Sequence, residues 1–278
     1  MSMQQKVSVL IPVYNRADSI ARCIESALAQ THTNLEIIVS DNASTDDTWS
    51  VVNRLAATDS RIRPFQNETN IGPTRNWICG LERCTGDYVK ILFSDDWIEA
   101  HCVEALLGPM EEKPEVHLAF SAAMVHYADR DEPKHHFPDQ RWFSVAEYLH
   151  DALLRGLTPV SPCCALVRRT AARFRLPIGD DAELNQIAKR FGAGPDLLFL
   201  LEAAAESSEV AHVPKFLTHF AACQSSITVN HAREVQAGYR LVRDYFAAQM
   251  ADRHGLARIN MRFKVRRWQR ALKRALHL

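Results

Sequence analysis

Short apolar runs alternate with amphipathic stretches through the first 110 residues. The runs at 7–13 and 88–93 are rich in β-branched or aromatic residues, which predicts strands buried on both faces. Two further strands are predicted at 35–39 and 62–65. The intervening segments place apolar residues at helical spacing, with helices that begin near Asp18, Asp46, Pro73 and Glu99. This alternation predicts right-handed βαβ units and a mainly parallel α/β sheet.

The pattern is less regular beyond Met110. Strands are predicted at 116–125, 163–167, 210–213 and 216–222, and helices at 144–155, 181–191 and 196–205. The polar stretch 128–142 predicts a mobile loop, and the chain from His231 onward predicts helix with a break near Gly255. We therefore expect one domain at 1–228, with halves at 1–110 and 111–228, and a helical extension at 229–278.

Composition agrees with a globular protein. The 278 residues are 47% apolar and 24% charged, with 33 basic and 33 acidic side chains. This apolar content excludes disorder as the main state, and the length is sufficient for a core without disulfides or structural metals. The chain contains no run of about 20 apolar residues, so no transmembrane helix is predicted. The N-terminus lacks a signal-peptide pattern, so we expect a cytoplasmic protein.

The seven cysteines support the same interpretation. Their number is odd and no two are spaced as C-x-x-C, so they indicate neither a disulfide framework nor a zinc site. We expect most of them to be small buried residues of the core.

Charge is distributed unevenly along the chain. Nine of the 33 basic residues follow Asp252 and no acidic residue does, so residues 1–252 carry 24 basic and 33 acidic side chains. In the last predicted helix an apolar stripe from Met261 to Leu276 includes Trp268, and seven basic residues surround it. Such a helix suits an anionic membrane surface. The alternative is a surface helix that docks on the core of the protein itself.

Polar side chains follow three predicted strands at the sheet edge where ligands bind. Tyr14 and Asn15 follow the first strand, Asp41 follows the second, and Asp95 and Asp96 follow the fourth. Adjacent carboxylates repel each other. A divalent cation that shares them with substrate phosphates would offset this repulsion. The alternative is a simple N-cap ahead of the next helix.

The segments 39–46 and 70–76 are two further candidate ligand loops. In the first, an acid followed by small polar residues can hold a ribose or a base, and the alternative is a plain loop capped by Asp46. In the second, a Gly72-Pro73 turn opens a helix whose N-terminus suits phosphate. The alternative there is a turn with an exposed Arg75.

Together these segments resemble the family 2 glycosyltransferases, which use a nucleotide-diphosphate sugar and have a GT-A fold. The matching stretches, besides the helix at 20–28, are VSVLIPVYN at 7–15, VSDNASTDDT at 39–48, NIGPTRN at 70–76 and TGDYVKILFSDDW at 85–97. The resemblance is strong over residues 5–110, weaker to about 228, and absent beyond. It implies a GT-A-type mixed, mainly parallel sheet flanked by helices, to which the sequence pattern adds a helical C-terminal extension.

The resemblance also implies residue roles. The implied nucleotide-binding residues are Pro12, Tyr14, Asn15, Asp41, Arg75 and Asp95. Tyr14 would lie against the base, Asp41 would read the base, usually uracil or thymine, and Asp95 would point toward the ribose or sugar. Asp96 would hold Mn²⁺ or Mg²⁺ on the diphosphate, where the metal neutralises charge on the leaving group.

Inverting transfer needs a general base that takes the proton of the acceptor hydroxyl. In the family this base is an Asp at the start of a helix in the second half, and Asp196 after Gly194-Pro195 matches it. The rival is the pair Asp180-Asp181, and the remaining alternative is that Asp196 only caps its helix.

Two other features are secondary. Gln224 and Ser226 are candidate phosphate contacts in a segment where relatives carry a His or Arg, and Cys223 stands at about that position. The adjacent His135 and His136 suggest a metal, but we expect them to be solvated in an acceptor-side flap.

We therefore expect an inverting glycosyltransferase that moves a sugar from a UDP- or dTDP-type donor to a glycan or lipid-linked acceptor in surface polysaccharide synthesis. Residues 258–278 would attach it to the inner face of a membrane, and nucleic acid is not an expected partner. One alternative is a nucleotidyltransferase, which would need a Gly- and Lys/Arg-rich loop after the first strand. Another is a non-catalytic nucleotide-sugar-binding or scaffold protein with the same fold.

Overall fold

The computed structural model describes residues 5–139, 141–222 and 230–250. The first half contains β1 (Val7–Val13), α1 (Ile20–Leu28), β2 (Leu35–Asp41), α2 (Thr48–Ala56), β3 (Ile62–Gln66), α3 (Pro73–Leu81), β4 (Tyr88–Ile91), β5 (Trp97–Ile98) and α4 (Cys102–Glu112). The predicted alternation of strands and helices is therefore confirmed in this half. The short strand β5 was not predicted.

The second half contains β6 (Leu118–His126), β7 (Asp131–Lys134), β8 (Trp142–Ser144), α5 (Val145–Leu154), β9 (Ala165–Arg168), α6 (Ala182–Phe191), α7 (Pro195–Ala205), β10 (Glu209–Ala221) and α8 (Ala232–Gln249). A 3-10 turn at Pro162–Cys164 precedes β9. The stretch 128–142, predicted as a loop, contains β7 and the start of β8. The two strands predicted at 210–222 are one strand, because β10 continues through register shifts around Pro214, which has no backbone N–H to donate.

The strands form one mixed sheet in the order β3-β2-β1-β4-β9-β6-β10-β5, with β7 beside β6 and β8 beside β10. Parallel pairing joins β1 to β2 and β4, β2 to β3, and β6 to β10. The other pairs are antiparallel. The parallel character is thus weaker than predicted in the second half, where connections such as that between β6 and β7 are too short for a crossover.

Helices cover both faces of the sheet. Leu10 of β1 packs into a core with residues of α3 and α5–α8, whereas Val9 and Ile11 face a core with residues of α1, α2 and α4. All of β1 is buried, as predicted for a strand covered on both faces. Val242 and Phe246 of α8 lie in the first of these cores, so the described part of the C-terminal extension packs with the domain.

A buried acid, Glu36, lies at the amino edge of the sheet, where the parallel strands begin. Its carboxylate accepts hydrogen bonds from Ser8 Oγ at 2.6 Å, Thr85 N at 2.6 Å, Arg63 Nη1 at 2.7 Å and Lys6 Nζ at 2.9 Å. Burial raises the pKa of Glu36, but the hydrogen bonds from Ser8, Lys6 and Thr85 outweigh it and lower the pKa to about 2. This network ties β1, β2, β3 and the residues before β4 together.

The predictions about the cysteines and about transmembrane helices can be compared with the described residues. The six described cysteines are free, and five of them are buried, as expected. None of the described helices is long and apolar enough to cross a membrane. Cys223, Gln224, Ser226 and the basic tail from residue 251 onward lie outside the described residues.

Candidate functional site

Two loops at the carboxyl edge of the sheet are joined by hydrogen bonds. Asn15 after β1 accepts a bond from Thr45 N at 2.8 Å, and its own N–H donates to Ser44 Oγ at 2.9 Å. Asn15 has a φ of 50°, a left-handed conformation that Asn adopts more readily than most residues. The preceding residue, Tyr14, is 40% exposed at this rim, while Pro12 is buried within β1.

Asp41 ends β2 and is fully buried. Gln66 Nε2 donates to its Oδ2 at 2.6 Å, Ser44 N donates to the same oxygen at 3.2 Å, and Ser44 Oγ bonds to Oδ1. A carboxylate has about four acceptor positions, so this arrangement leaves capacity for one further hydrogen-bond donor.

A network of asparagines, not singled out from the sequence, fixes α3 against β2. Asn42 Nδ2 donates to Asn70 Oδ1 at 2.9 Å, and Ile71 N donates to Asn42 Oδ1 at 3.0 Å. Asn76 Nδ2 donates to Ser40 O at 2.8 Å. The asparagines in NIGPTRN were the available signal, but their partners after β2 lie about 30 residues away in the chain.

Arg75 lies in the first turn of α3 and is exposed, with no hydrogen bond or ion pair to any residue that the structure describes. The start of this helix packs against the end of α6. Thr74 Oγ1 donates to Ala188 O at 2.7 Å, and a Cβ on Gly72, whose φ is 82°, would lie 2.6 Å from Lys189 O. Glycine is therefore required at the turn that presents Arg75.

Asp95 and Asp96 follow β4, and the structure separates their environments. Asp96 is 4% exposed, and its Oδ1 accepts a hydrogen bond from Ala221 N at 3.2 Å. Burial, and then the charge of Asp95, raise the pKa of Asp96 well above its usual value, although the thiol of Cys163 also bonds to it. The side chain of Asp95 is 22% exposed, and Arg16 Nε lies 4.0 Å from its Oδ2.

Neither acid caps the next helix, because α4 begins at Cys102 with His101 as its N-cap. That alternative is wrong. Within the described residues, no group of three or more His, Cys, Asp or Glu side chains could hold a metal ion. Hard cations bound through a nucleotide diphosphate need only one or two carboxylates from the protein, and the buried Asp96 has no described ion-pair partner. The donor set therefore fits Mg²⁺ or Mn²⁺ bound jointly with phosphate.

An aromatic cluster lies beside this pair of acids. The Trp97 ring stacks on His219 at 5.2 Å and on His126 at 4.9 Å, and the Arg22 guanidinium lies 3.9 Å above it. His219 also bonds to Glu99, at 2.8 Å between Nε2 and Oε1. This cluster was not predicted from the sequence, because His126 and His219 are 93 residues apart.

Asp196 lies in the first turn of α7 and is 6% exposed. Its Oδ1 accepts hydrogen bonds from Gly194 N at 2.9 Å and Leu197 N at 2.8 Å, and its Oδ2 accepts one from Tyr239 Oη at 2.7 Å. Burial raises the pKa of Asp196 to about 6 against the opposing effect of these bonds. A carboxylate with a pKa near neutrality is suited to general-base chemistry.

The rival pair differs from Asp196 in burial. Asp180 and Asp181 are exposed, and Asp181 caps α6 by accepting a hydrogen bond from Leu184 N at 3.0 Å.

The adjacent histidines His135 and His136 lie in different environments. His136 is exposed, whereas His135, expected to be solvated, is partly buried and bonds to Leu157 O at 2.6 Å.

Trp77 of α3 connects the turn before Asp196 to the strand end before Asp95. Its ring lies 5.1 Å from that of Phe93, and a Cβ on Gly192 would lie 2.5 Å from Trp77 Cη2. Continuous packing thus joins the loop after β2, the start of α3, the end of β4 and the turn before α7. Gln224 and Ser226 cannot be placed relative to this site, because they lie outside the described residues.

Comparison with known proteins gives a consistent result. The family model described as glycosyl transferase family 2 matches residues 8–175. A curated relative from Escherichia coli, UDP-Glc:alpha-D-GlcNAc-diphosphoundecaprenol beta-1,3-glucosyltransferase WfaP, is 43% identical over 91 residues, which are 33% of this chain and 36% of WfaP. Glycosyltransferase GlyG of Streptococcus pneumoniae is 32% identical over 111 residues, 40% of this chain and 37% of GlyG. The matches thus span little more than a third of these relatives.

Solved structures show the same fold. The crystal structure of S. aureus TarS 1–349 in complex with UDP-GlcNAc matches with a TM-score of 0.71 at 18% identity, over 89% of this chain and 67% of that one. The mannosyltransferase PcManGT from Pyrobaculum calidifontis, in complex with GDP-Man and Mn²⁺, matches with a TM-score of 0.63 at 17% identity, over 95% of this chain and 70% of that one. The predicted GT-A architecture, a mixed α/β sheet flanked by helices, is therefore confirmed.

Proposed function

The chain belongs to glycosyl transferase family 2, and from this premise we propose that it transfers a sugar with inversion from a UDP- or dTDP-type donor to a hydroxyl of a glycan or lipid-linked acceptor in surface polysaccharide synthesis. Relatives support this choice, since WfaP is named for UDP-Glc and a diphosphoundecaprenol acceptor, and TarS was crystallised with UDP-GlcNAc. The observation that carries the proposal is the presence of two buried acids, Asp96 and Asp196, that have no described ion-pair partner and a raised pKa.

Asp196 is the general base in this proposal. The acceptor oxygen attacks the anomeric carbon while its proton passes to Asp196 Oδ2. The bond between sugar and phosphate breaks, and its electron pair leaves with the nucleotide diphosphate. A single displacement of this kind inverts the configuration. With a pKa of about 6, Asp196 is ionised at pH 7.5 yet basic enough to share a proton in the transition state.

The donor site is assigned to the carboxyl edge of the sheet. Tyr14 lies against the base, Asp41 reads it, and Pro12 and Asn15 shape the pocket around it. Asp95 contacts the ribose or sugar, and the exposed guanidinium of Arg75 approaches the nucleotide. The exposure of Tyr14 and Arg75 and the remaining acceptor position of Asp41 are compatible with these roles.

Asp96 would hold Mn²⁺ or Mg²⁺ on the diphosphate. When bound, the metal supplies positive charge that stabilises the leaving nucleotide diphosphate. The buried carboxylate of Asp96 is kept in place by Ala221 N and by the thiol of Cys163. The Mn²⁺ in the PcManGT structure supports this assignment for a protein of the same fold.

Calorimetric titration with UDP in Mn²⁺ tests the metal site. Asp96→Ala is expected to weaken UDP binding about 30-fold, the equivalent of ~2 kcal/mol for loss of a charged partner. The exposed Asp129→Ala is the matched control and is expected to bind like the unmodified protein. Equal UDP affinity in Mn²⁺ and in EDTA would contradict the metal assignment.

Turnover over a panel of nucleotide sugars tests the reaction itself. Asp196→Asn is expected to lower transfer by roughly 10²–10⁴ while UDP affinity is retained. Asp181→Asn is the control, because this acid also begins a helix but is exposed. If Asp181→Asn abolishes turnover and Asp196→Asn does not, the base is the rival acid. Donor binding without turnover over the whole panel would indicate the non-catalytic alternative.

The basic tail is proposed to bind the inner face of an anionic membrane, which agrees with a lipid-linked acceptor. The proposal comes from the sequence of residues 258–278, which lie outside the described residues. Deletion of 258–278 is expected to abolish sedimentation with anionic vesicles and to leave donor hydrolysis intact, because each basic side chain near such a surface contributes about 1 kcal/mol. Full-length protein that ignores anionic vesicles at low salt would refute it.

A further inference from the structure

Helix α8 packs closely against the turn that precedes Asp196. A Cβ on Gly238 would lie 2.8 Å from Ala193 O, and a Cβ on Gly194, whose φ is 107°, would lie 3.0 Å from Val242 Cγ2. The absence of side chains at both glycines lets the helix and the turn approach closely. Tyr239, the residue after Gly238, is thereby brought to the carboxylate of Asp196.

The two oxygens of Asp196 are held differently. Oδ1 accepts both backbone N–H groups of the turn, from Gly194 and Leu197, and therefore has little capacity left. Oδ2 accepts the Tyr239 hydroxyl at 2.7 Å, which leaves it one free acceptor position. The tyrosine thus determines which lone pair remains available to a substrate.

We propose that Tyr239 is a positioning residue for the general base: its hydroxyl holds the Asp196 carboxylate so that the free position of Oδ2 receives the acceptor proton, and α8 thereby completes the active site. This inference rests on the proposed function of Asp196. It assigns a role in the reaction to a helix that begins beyond residue 228, where the family resemblance in the sequence ends.

The electrostatics of the site agree with this geometry. Burial raises the pKa of Asp196 and the hydrogen bond from Tyr239 is the largest opposing effect, so loss of the hydroxyl should raise that pKa further. From α8, Arg243 also faces the pair, and burial lowers its pKa. The other elements packed on α7 carry buried titratable groups at Tyr148, Asp151, Cys163 and Cys164. Among the described residues, Tyr239 is the side chain that donates to Asp196.

Removal of one oxygen atom tests the proposal. Tyr239→Phe keeps the ring, and Tyr245→Phe is the matched control, because Tyr245 lies on the same helix with its ring against Gly179. The measurement is the pH profile of transfer over pH 5–9, together with the KM for donor and the Tm of each variant. For Tyr239→Phe we expect the acidic limb to move up by about one pH unit and kcat at pH 6 to fall about 5-fold, because the ionised fraction of Asp196 falls from about one half to about one tenth. The KM for donor should not change.

Replacement of Tyr239 by 3-fluorotyrosine provides a second variant that does not depend on tolerance of Phe. Its more acidic phenol donates more strongly, so the acidic limb should move to lower pH, opposite to the shift in Tyr239→Phe. An unchanged limb in both variants would overturn the proposal, even with a lowered Tm, since a purely structural tyrosine affects stability alone. Equal shifts in Tyr239→Phe and Tyr245→Phe would also overturn it.

Failure of the proposed function can be distinguished from failure of the Tyr239 proposal. If Asp196→Asn transfers sugar at the normal rate, then Asp196 is not the base, whatever the tyrosine variants show. If Asp196→Asn is inactive and the limb does not move in Tyr239→Phe, the base assignment stands and the role of Tyr239 falls.

Discussion

Glu36 at the amino edge of the sheet and Asp196 at the start of α7 are both buried acids, but the protein surrounds them differently. Glu36 has two cations, Lys6 and Arg63, as well as hydroxyl and backbone donors, and its pKa is lowered to about 2. The hydrogen-bond donors that the described residues give to Asp196 are all neutral, and burial raises its pKa to about 6. Asp96 resembles Asp196, because burial and the neighbouring Asp95 raise its pKa.

The difference separates a structural acid from a reactive one. A buried carboxylate with compensating cations stabilises the fold and stays ionised. A buried carboxylate without them is less favourable in the folded protein, yet it is ready to accept a proton or a cation. The two edges of one sheet therefore hold acids with opposite effects on stability, and the predictions below test that opposition.

The largest effect on stability is expected for Asp196→Asn. The pKa is about 6 in the folded protein and 3.8 in the reference state, and at ~1.4 kcal/mol per unit the ionised acid costs about 3 kcal/mol at pH 8. Because the folded pKa is raised, this cost is absent below pH 3.8 and develops as pH rises through 6. Urea unfolding should show the variant more stable at pH 8 and equal at pH 4. A variant less stable at pH 8 would mean that Asp196 is a structural cap.

The opposite change is expected for Glu36→Gln. Its folded pKa is lowered from 4.5 to about 2, so its stabilising effect is complete above pH 4.5 and is lost as pH falls through 2. We expect the variant to lose about 2 kcal/mol at pH 7, a value reduced because water screens the partly exposed Lys6 and Arg63. Urea unfolding at pH 7 and pH 3 checks this, with the exposed Glu104→Gln as control. Unchanged stability at pH 7 would contradict the contrast between a stabilising Glu36 and a destabilising Asp196.

A smaller loss is expected for Arg63→Ala. The Arg63 side chain is 55% exposed, so its bond to Glu36 should contribute about 0.5 kcal/mol, and less in 1 M salt. Unfolding at low and high salt measures this. A loss comparable to that of Glu36→Gln would show that one cation, and not the whole network, stabilises the acid.

The smallest effect is the coupling between the two acids. Glu36 and Asp196 have no hydrogen-bond partner in common among the described residues and lie toward opposite edges of the sheet, so the double variant should show the sum of both changes to within about 0.5 kcal/mol. A double-mutant cycle in urea gives this value. A larger coupling would mean that the edges are not energetically independent.

The first half of the fold was predictable because its signals are local. The predicted strands at 7–13, 35–39, 62–65 and 88–93 lie within two residues of β1–β4 at each end. Continuous apolar runs mark β1, β2 and β4 as strands buried on both faces, whereas β3 has a weaker, mixed pattern. The strands β7 and β8 were missed. Both strands are short, and β7 is polar. Each is defined by pairing with a neighbouring strand: β7 pairs with β6, and β8 pairs with β10, which is distant in the chain.

Some residues of the candidate site could likewise be predicted from the sequence, and others could not. Asp95 and Asp96 are adjacent in the chain, and Gly194-Pro195 precedes Asp196 directly, so each was visible in the sequence. Tyr239 was not, because its hydroxyl meets Asp196 across 43 residues. The Glu36 network was also invisible, since its four partners come from three separate segments of the chain.

The sequence by itself determined the main alternation of strands and helices in the first half, the family, and which acids stand at strand and helix ends, because each of these is set by residues near one another in the chain. Only the tertiary structure decided that Glu36 meets two cations while Asp196 meets a tyrosine. Burial and the identity of distant donors set the balance between desolvation and hydrogen bonding, and that balance determines whether a buried acid stabilises the protein or is available for proton transfer.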